Sequence, residues 1–255
     1  MAFFYLDMGR KTHRFTRKIH RYLGLFIGIQ FLFWTIGGLY FSWNDMDDVH
    51  GETLLDKTEH TFAFSYNEPI RKLLNFLEET DAKPIKYIEA IVVNKDSLLR
   101  VTRSNDILFL NLNKNQYKVR KALTKEESIA FVKSRLYNAL PVKQTEYLTE
   151  KEITNKHEYR GNPLPVFAIT LEHETNTTVY VHPNTAKITK VRNDNWRKFD
   201  FLWMLHVMDF ETRDHITNWV LRAFSVLGLL TILSGFYLFF ISSPTLRKWR
   251  KKIKG

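Results

Sequence analysis

Nine histidines and no cysteine set the chemistry open to this 255-residue chain. Without thiols there is no disulfide, no thiolate-held iron–sulfur cluster, no cysteine zinc site and no thiol nucleophile. The sequence also holds no HExxH motif, plausible serine triad, ordered carboxylate pair, dinucleotide fingerprint or phosphate loop. Imidazole is therefore the obvious metal ligand, and His20 and His206 lead. His20 immediately precedes a long apolar run and, on a helix, shares a face with Leu23, Gly24, Ile27 and Gly28, where the two glycines leave room beside it. His206 lies in FDFLWMLHVMDF, an aromatic segment just before a second apolar run; an imidazole buried there needs a partner, and a metal would meet that need. The plainer alternatives are an interfacial anchor for His20, with Arg17, Lys18 and Arg21, and a hydrogen bond from His206 to Asp200 or Asp209. His215 follows nine residues later. His13 sits in a polar stretch one heptad before His20, and His173 and His182 read as strand-end and turn residues.

These side chains act only where the chain places them, and two apolar runs dominate it. Tyr22–Trp43 has no formal charge and as a helix covers about 33 Å, against a hydrocarbon core of about 30 Å. Trp219–Ile241 contains only Arg222, which near a helix end can snorkel to the headgroups. Both runs read as transmembrane helices. The first is too long and aromatic for a signal peptide, and no small-residue cleavage site follows it. The formal net charge of +11 would suggest a polyanionic partner in a soluble protein. Its distribution argues against that: six basic residues up to Arg21 face only Asp7, six more follow Ile241 with no acid, and the stretch between the spans is nearly neutral. The positive-inside bias places both termini in the cytoplasm and the middle of the chain across the membrane, periplasmic if the cell is a diderm bacterium. Membrane orientation explains the basic ends, so no nucleic-acid partner is expected.

The middle region carries its own elements. Tyr66–Glu79 puts Ile70, Leu73, Leu74 and Leu77 on one helical face. Several short strands separated by polar turns follow between Tyr87 and Lys121. Thr124 and Glu127 form a capping box for a second helix, succeeded by strands over 166–173, 177–183 and 186–193. FLNLNKNQYKV lies over TVYVHPNTAKI at an offset of 69 residues. The expected fold is therefore an α+β membrane protein in which two tandem units, each one helix packed on a small antiparallel sheet, stand between two spans. The alternative is one irregular α+β domain. The expected boundaries are a basic tail 1–21, helix 22–43, units 44–123 and 124–195, an interfacial His-bearing segment 196–218, helix 219–241 and a basic tail 242–255.

Three motifs carry a family resemblance that covers almost the whole chain. RKIHRYLGLFIG from Arg17, the hairpin TTVYVHPNTAKITKV, and WMLHVMDF from Trp203 followed by VLGLLTILSGFYLFF resemble proteins with a PepSY domain and PepSY-associated transmembrane helices. There are departures: Val207 and Met208 stand where many relatives have a glycine soon after the second His, and Ala186 occupies a turn position where glycine is common. The compact two-span form is similar to bacterial inner-membrane haem-containing ferric reductases of iron uptake.

That resemblance implies haem b held by His20 and His206, with Gly24 and Gly28 accommodating a flat cofactor, Arg222 beside a propionate, and His215 as a further axial or outer ligand. The two leading histidines are expected on opposite sides of the membrane, and two helices enclose a haem poorly. A symmetric homodimer would let each His meet its twin. Electrons would arrive from a membrane quinol or cytoplasmic donor and leave to Fe(III), as a ferric chelate, beneath the external domain. Asp45, Asp47, Asp48, His50 and Glu52 are an oxygen-rich group suited to hard Fe(III). The competing expectation is a non-enzymatic accessory protein whose sheet edges bind a peptide or envelope partner by strand addition.

Overall fold

The structure, a computed structural model, describes residues 2–56, 75–76, 84–93, 96–104, 106–111 and 119–244. Two compact units form: Asn44–Lys198, and Met1–Trp43 together with Phe199–Gly255. The helix expected over Tyr66–Glu79 lies outside the described residues except for Asn75 and Phe76, which are helical, and the basic tail beyond residue 244 also lies outside them.

The central unit opens with α1's successor, the short helix α2 (Met46–His50), where α1 is Ala2–Trp43. Asp45 caps α2 through its side chain, and Gly51 ends it at φ +73°. Only glycine suits that turn, because the left-handed backbone is strained for other residues and an added Cβ would stand 2.7 Å from Val191 Cγ1. A single 3-10 turn, Glu52–Leu54, follows.

Two four-stranded antiparallel sheets make up the rest. The first has β1 (Ile85–Val93), β2 (Asp96–Arg103), β3 (Ile107–Asn111) and β4 (Val119–Arg120), in that spatial order. The second has β5 (Val142–Leu148), β6 (Val166–Leu171), β7 (Thr178–His182) and β8 (Lys187–Arg192), again in sequential order. Side chains alternate between sheet faces, and both faces of each sheet are used. In the first sheet Ile91, Leu98 and Phe109 point one way and Leu99, Val101, Leu108 and Leu110 the other.

Between the sheets lies α3 (Lys125–Lys133), started by the expected reciprocal capping box of Thr124 and Glu127. Phe131 and Val132 of α3 join Ile91, Leu98 and Phe109 of the first sheet and Ile169, Leu171, Val179 and Val181 of the second in one buried cluster. Each sheet also keeps a cluster of its own on its other face, with Phe76 packed on that of the first sheet, while α3 joins both sheets in the shared cluster. Arg100 reinforces it. Its guanidinium pairs with Glu89 and donates to the carbonyls of Thr185 and Ala186 at 2.6 and 3.3 Å, tying β2 to the β7–β8 turn. Ala186, where glycine is common among the proteins resembled, stands at φ +48°.

The far face of the second sheet is closed by the 149–165 connection. Tyr159, fully buried, stacks on Tyr180 at 4.5 Å. The Tyr180 hydroxyl donates to Glu158 at 2.7 Å, and Glu158 accepts from Arg197 Nε at 2.7 Å. Burial, then the adjacent Glu158 carboxylate, pushes the Tyr180 phenol above its ordinary pKa.

The helical unit contains α1, the Phe199–Val207 part of α4 (Asp194–Val207), and α5 (Trp219–Ser242). Lys11–Trp43 and Trp219–Ser242 are long and apolar enough to cross a membrane. The basic segment expected as a tail before Tyr22 is continuous helix. It lacks proline and, between Lys11 and Arg21, glycine, so nothing stops the helix there. Asn218 caps α5, its side-chain oxygen accepting from Leu221 N at 2.8 Å. α1 and α5 run antiparallel: Phe26 meets Phe224 at 5.3 Å, and Ile27 and Phe31 pack at Gly228.

Candidate functional site

His20 is held by α5. The Ser234 hydroxyl donates to the Thr231 carbonyl at 2.8 Å, so its oxygen is left to accept from His20 Nδ1–H, also at 2.8 Å. This chain of donors favours the tautomer that carries its proton on Nδ1. The ring lies against bare backbone: a Cβ at Gly235 would approach His20 Cε1 to 3.1 Å. The expected shared face divides. Ile27, 1% exposed, turns with His20 toward α5, whereas Gly24 and Gly28 have no neighbour within 4 Å of where a Cβ would stand. Two glycines one turn apart leave an open strip of helix surface on α1. Ser234 precedes the end of α5 by eight residues, so His20 is level with a point about 12 Å inside that helix.

His206 occupies the last turn of α4. Its ring stacks on Trp203 (5.9 Å, 9°) and is flanked by Trp34 at 5.7 Å and Phe41 at 6.2 Å. Nδ1 is buried with no hydrogen-bond partner. The partners weighed for it are engaged elsewhere: Asp200 accepts from Arg213 Nη1 at 2.6 Å, and Asp209 organises a turn. The three last carbonyls of α4 are each met by a side chain. Gln30 Nε2 donates to Leu205 O at 2.8 Å, Trp34 Nε1 to His206 O at 2.9 Å, and Asn218 Nδ2 to Val207 O at 2.8 Å. Carbonyls at a helix end have no partner within the helix, so Gln30 and Trp34 fix α4 against the middle of α1 and Asn218 ties it to the start of α5. Met208 then leaves the helix at φ +56°, the left-handed position that glycine fills most easily.

Fourteen residues separate His20 from Trp34, the level of His206, which is about 21 Å along α1. The two histidines therefore belong to separate levels and cannot share one metal within a chain. His215 is 71% exposed; its Nδ1 bonds Thr212 Oγ1 at 2.8 Å and its amide donates to Asp209 at 3.0 Å. It belongs to a turn that Asp209 organises by accepting from the amides of Glu211, Thr212, Asp214 and His215 and from the Thr212 hydroxyl. Partial burial opposes ionisation of Asp209, but those donors outweigh it and hold its pKa well below the carboxylate range. Arg222 is exposed in the first turn of α5.

The central unit offers less. Asp45 is spent on capping, and Asp48 accepts from Thr53 at 3.1 Å through its side chain and from Asn193 at 2.7 Å through its carbonyl. Among the described residues no three His, Asp or Glu side chains converge as a metal site; Asp45 and Asp48 serve the turn around α2. His182 is buried, with Nδ1 unpartnered, and burial lowers its pKa. A cleft of about 470 Å³ runs along β8 between His50, Glu52 and Leu55 on one side and Trp196 on the other.

Sequence reasoning singled out both histidines but not the residues that hold them and their helices, Ser234, Gln30, Trp34 and Asn218. Gln30 was the available signal: it is the one carboxamide inside an apolar run, and a polar group there needs a partner.

An α+β unit carried between two candidate membrane helices, with a histidine braced on a third helix, defines a membrane-anchored protein. The chain belongs to the family of proteins with a PepSY-associated TM region, whose model matches residues 113–254. The match takes in His206, His215 and Arg222 and leaves His20 outside it. No functionally curated protein and no solved structure matches the chain.

Proposed function

We propose that the protein carries haem b in its helical unit and reduces ferric iron or ferric chelates during iron uptake, its two sheets representing tandem PepSY units. The observation that carries this reading is His20 held by Ser234 against the backbone of Gly235, on the same helix as Gly24 and Gly28, where an added Cβ would meet open space. Haem, when bound, supplies one-electron chemistry, and two imidazoles leave no open position for oxygen. His20 would give one axial nitrogen. His206 would give another at the second level, its ring held by Trp203, Trp34 and Phe41, which also exclude water. Because each level has one such histidine per chain, a homodimer supplies the second. Arg222 would lie beside a propionate, and His215 would act from the turn rather than as a ligand. In this reading the termini are cytoplasmic, the central unit lies outside a bacterial inner membrane, and a quinol or cytoplasmic donor feeds the lower level.

The test is haem stoichiometry and visible spectra of the purified wild type, His20→Ala and His206→Ala. A reducible Soret band that weakens in either variant is expected; its absence from the wild type after haem-replete expression would overturn the reading. A second reading is an accessory protein that binds an extended peptide, favoured by the cleft beside β8, a sheet-edge strand. Co-isolation of one stable protein partner by a haem-free protein would select it.

A further inference from the structure

Beyond the histidines, the helical unit gathers charge in an unusual place. Arg14, Arg17, Lys18 and Arg21 fall at i, i+3, i+4 and i+7 on α1 and line an open cleft of about 480 Å³ with His20 and Leu238 of α5. Among the described residues no carboxylate is paired with them, and residues 11–43 and 219–242 contain no Asp or Glu. Four like charges within about 10 Å of helix repel unless an anion joins them. Their level matters too. His20 sits opposite Ser234, so the cations that precede it run beside Gly235–Ser242, which reads GFYLFFIS and is wholly uncharged. One wall of the cleft is cationic and the other apolar. A soluble anion would satisfy only the first, whereas a phosphate joined to acyl chains satisfies both.

We propose that this cleft is a binding site for an anionic phospholipid, with its phosphate held by Arg14, Arg17, Lys18 and Arg21 and its chains laid along α5 past Leu238. His20, which also lines the cleft, is the residue this site shares with the proposed haem site, so the test reads retained lipid separately from haem. Affinity for the lipid should depend on these positions and not on the overall positive charge of the chain.

The full-length protein, purified in mild detergent, would be reconstituted in nanodiscs of phosphatidylcholine containing graded phosphatidylglycerol, and phosphatidylglycerol retained per chain would be measured after exchange back into detergent. Wild type should retain it in preference to phosphatidylcholine. Removing three charges with Arg14→Gln/Arg17→Gln/Lys18→Gln should weaken retention about a hundredfold, from about fivefold per charge. The charge-matched control Lys251→Gln/Lys252→Gln/Lys254→Gln should retain lipid as wild type does, and Arg14→Lys/Arg17→Lys, which keeps charge and orientation, should bind within a fewfold. Equal losses in the cleft variant and the control would overturn the proposal, since only bulk charge would then be at work. It also fails if inorganic phosphate protects the protein from thermal unfolding as well as the lipid does, or if the cleft variant loses haem absorbance while keeping its lipid.

Discussion

The attachment of α4 to α1 can be broken one hydrogen bond at a time. Gln30→Leu keeps the side-chain size and removes the donor to Leu205 O; Trp34→Phe keeps an aromatic ring beside His206 and removes the donor to His206 O. Gln30 is 9% exposed, so the carbonyl it leaves has little water to turn to. An unmet buried acceptor costs about 1–3 kcal/mol, nearer the upper figure where the surroundings are apolar. Each single variant should therefore lose about 2 kcal/mol. The two carbonyls are adjacent in one helix end, so the double variant should lose less than the sum: once the last turn of α4 swings away, the second bond has already gone. The assay is equilibrium unfolding in mixed micelles, with amide exchange followed across residues 205–212. If Gln30→Leu matches wild type within about 0.5 kcal/mol, near the limit of such comparisons, and exchange over α4 is unchanged, these side chains do not anchor the helix and the placement of His206 is wrong.

Ser234→Ala should free His20 to take its other tautomer and lower haem affinity about 10- to 100-fold, the usual effect of losing an outer-shell partner, while Ser234→Thr restores binding; haem titration of the purified protein reads this. His182 should make stability fall on acidification. Its folded pKa is lowered by burial, so the unfolded chain takes up a proton that the native state refuses, and stability declines as pH drops below about 6.5; His182→Gln should flatten the melting curve between pH 7.5 and 5. Ala186→Gly removes left-handed strain of about 1–2 kcal/mol, but loses a buried methyl worth about 0.8 kcal/mol and adds glycine's conformational cost of about 0.5–1 kcal/mol. It should leave denaturant stability within about 1 kcal/mol of wild type, whereas Ala186→Val, β-branched at positive φ, should lose more than about 2 kcal/mol.

Much of this was readable in the residues because it rests on local rules. The uncharged runs announced the long helices, Thr124 and Glu127 announced α3, and alternating apolar residues announced the strands other than β5, whose VKQTEYL is too polar to stand out. The positive φ at Ala186 and Met208 falls where the family resemblance marked absent glycines. What escaped was long-range. The shared core depends on which faces of two sheets meet one helix, and periodicity names a face without naming its partner. Ser234 meets His20 across 214 residues of chain and Gln30 meets Leu205 across 175; no spacing rule reaches that far. The acidic group after Trp43 reads two ways, since carboxylates in a short loop serve helix ends, as Asp45 does at α2, as readily as metals.

The opposition of His20 to Ser234 and of Ile27 to Gly228 fixes the sliding position of α1 against α5. Continued along both helices, it sets Trp219 near residue 35 of α1. The zone in which both are apolar, apart from Arg222 in the first turn of α5, then runs from Tyr22 to about that residue, roughly 14 positions or about 21 Å. A bilayer interior of about 30 Å is thicker than this waist by about 9 Å. Lipid around the protein must pinch or the helices must lean, and either response couples the protein's energy to the thickness of its host membrane. Reconstitution into short- and long-chain lipids should therefore change its melting temperature even where headgroup chemistry is held constant.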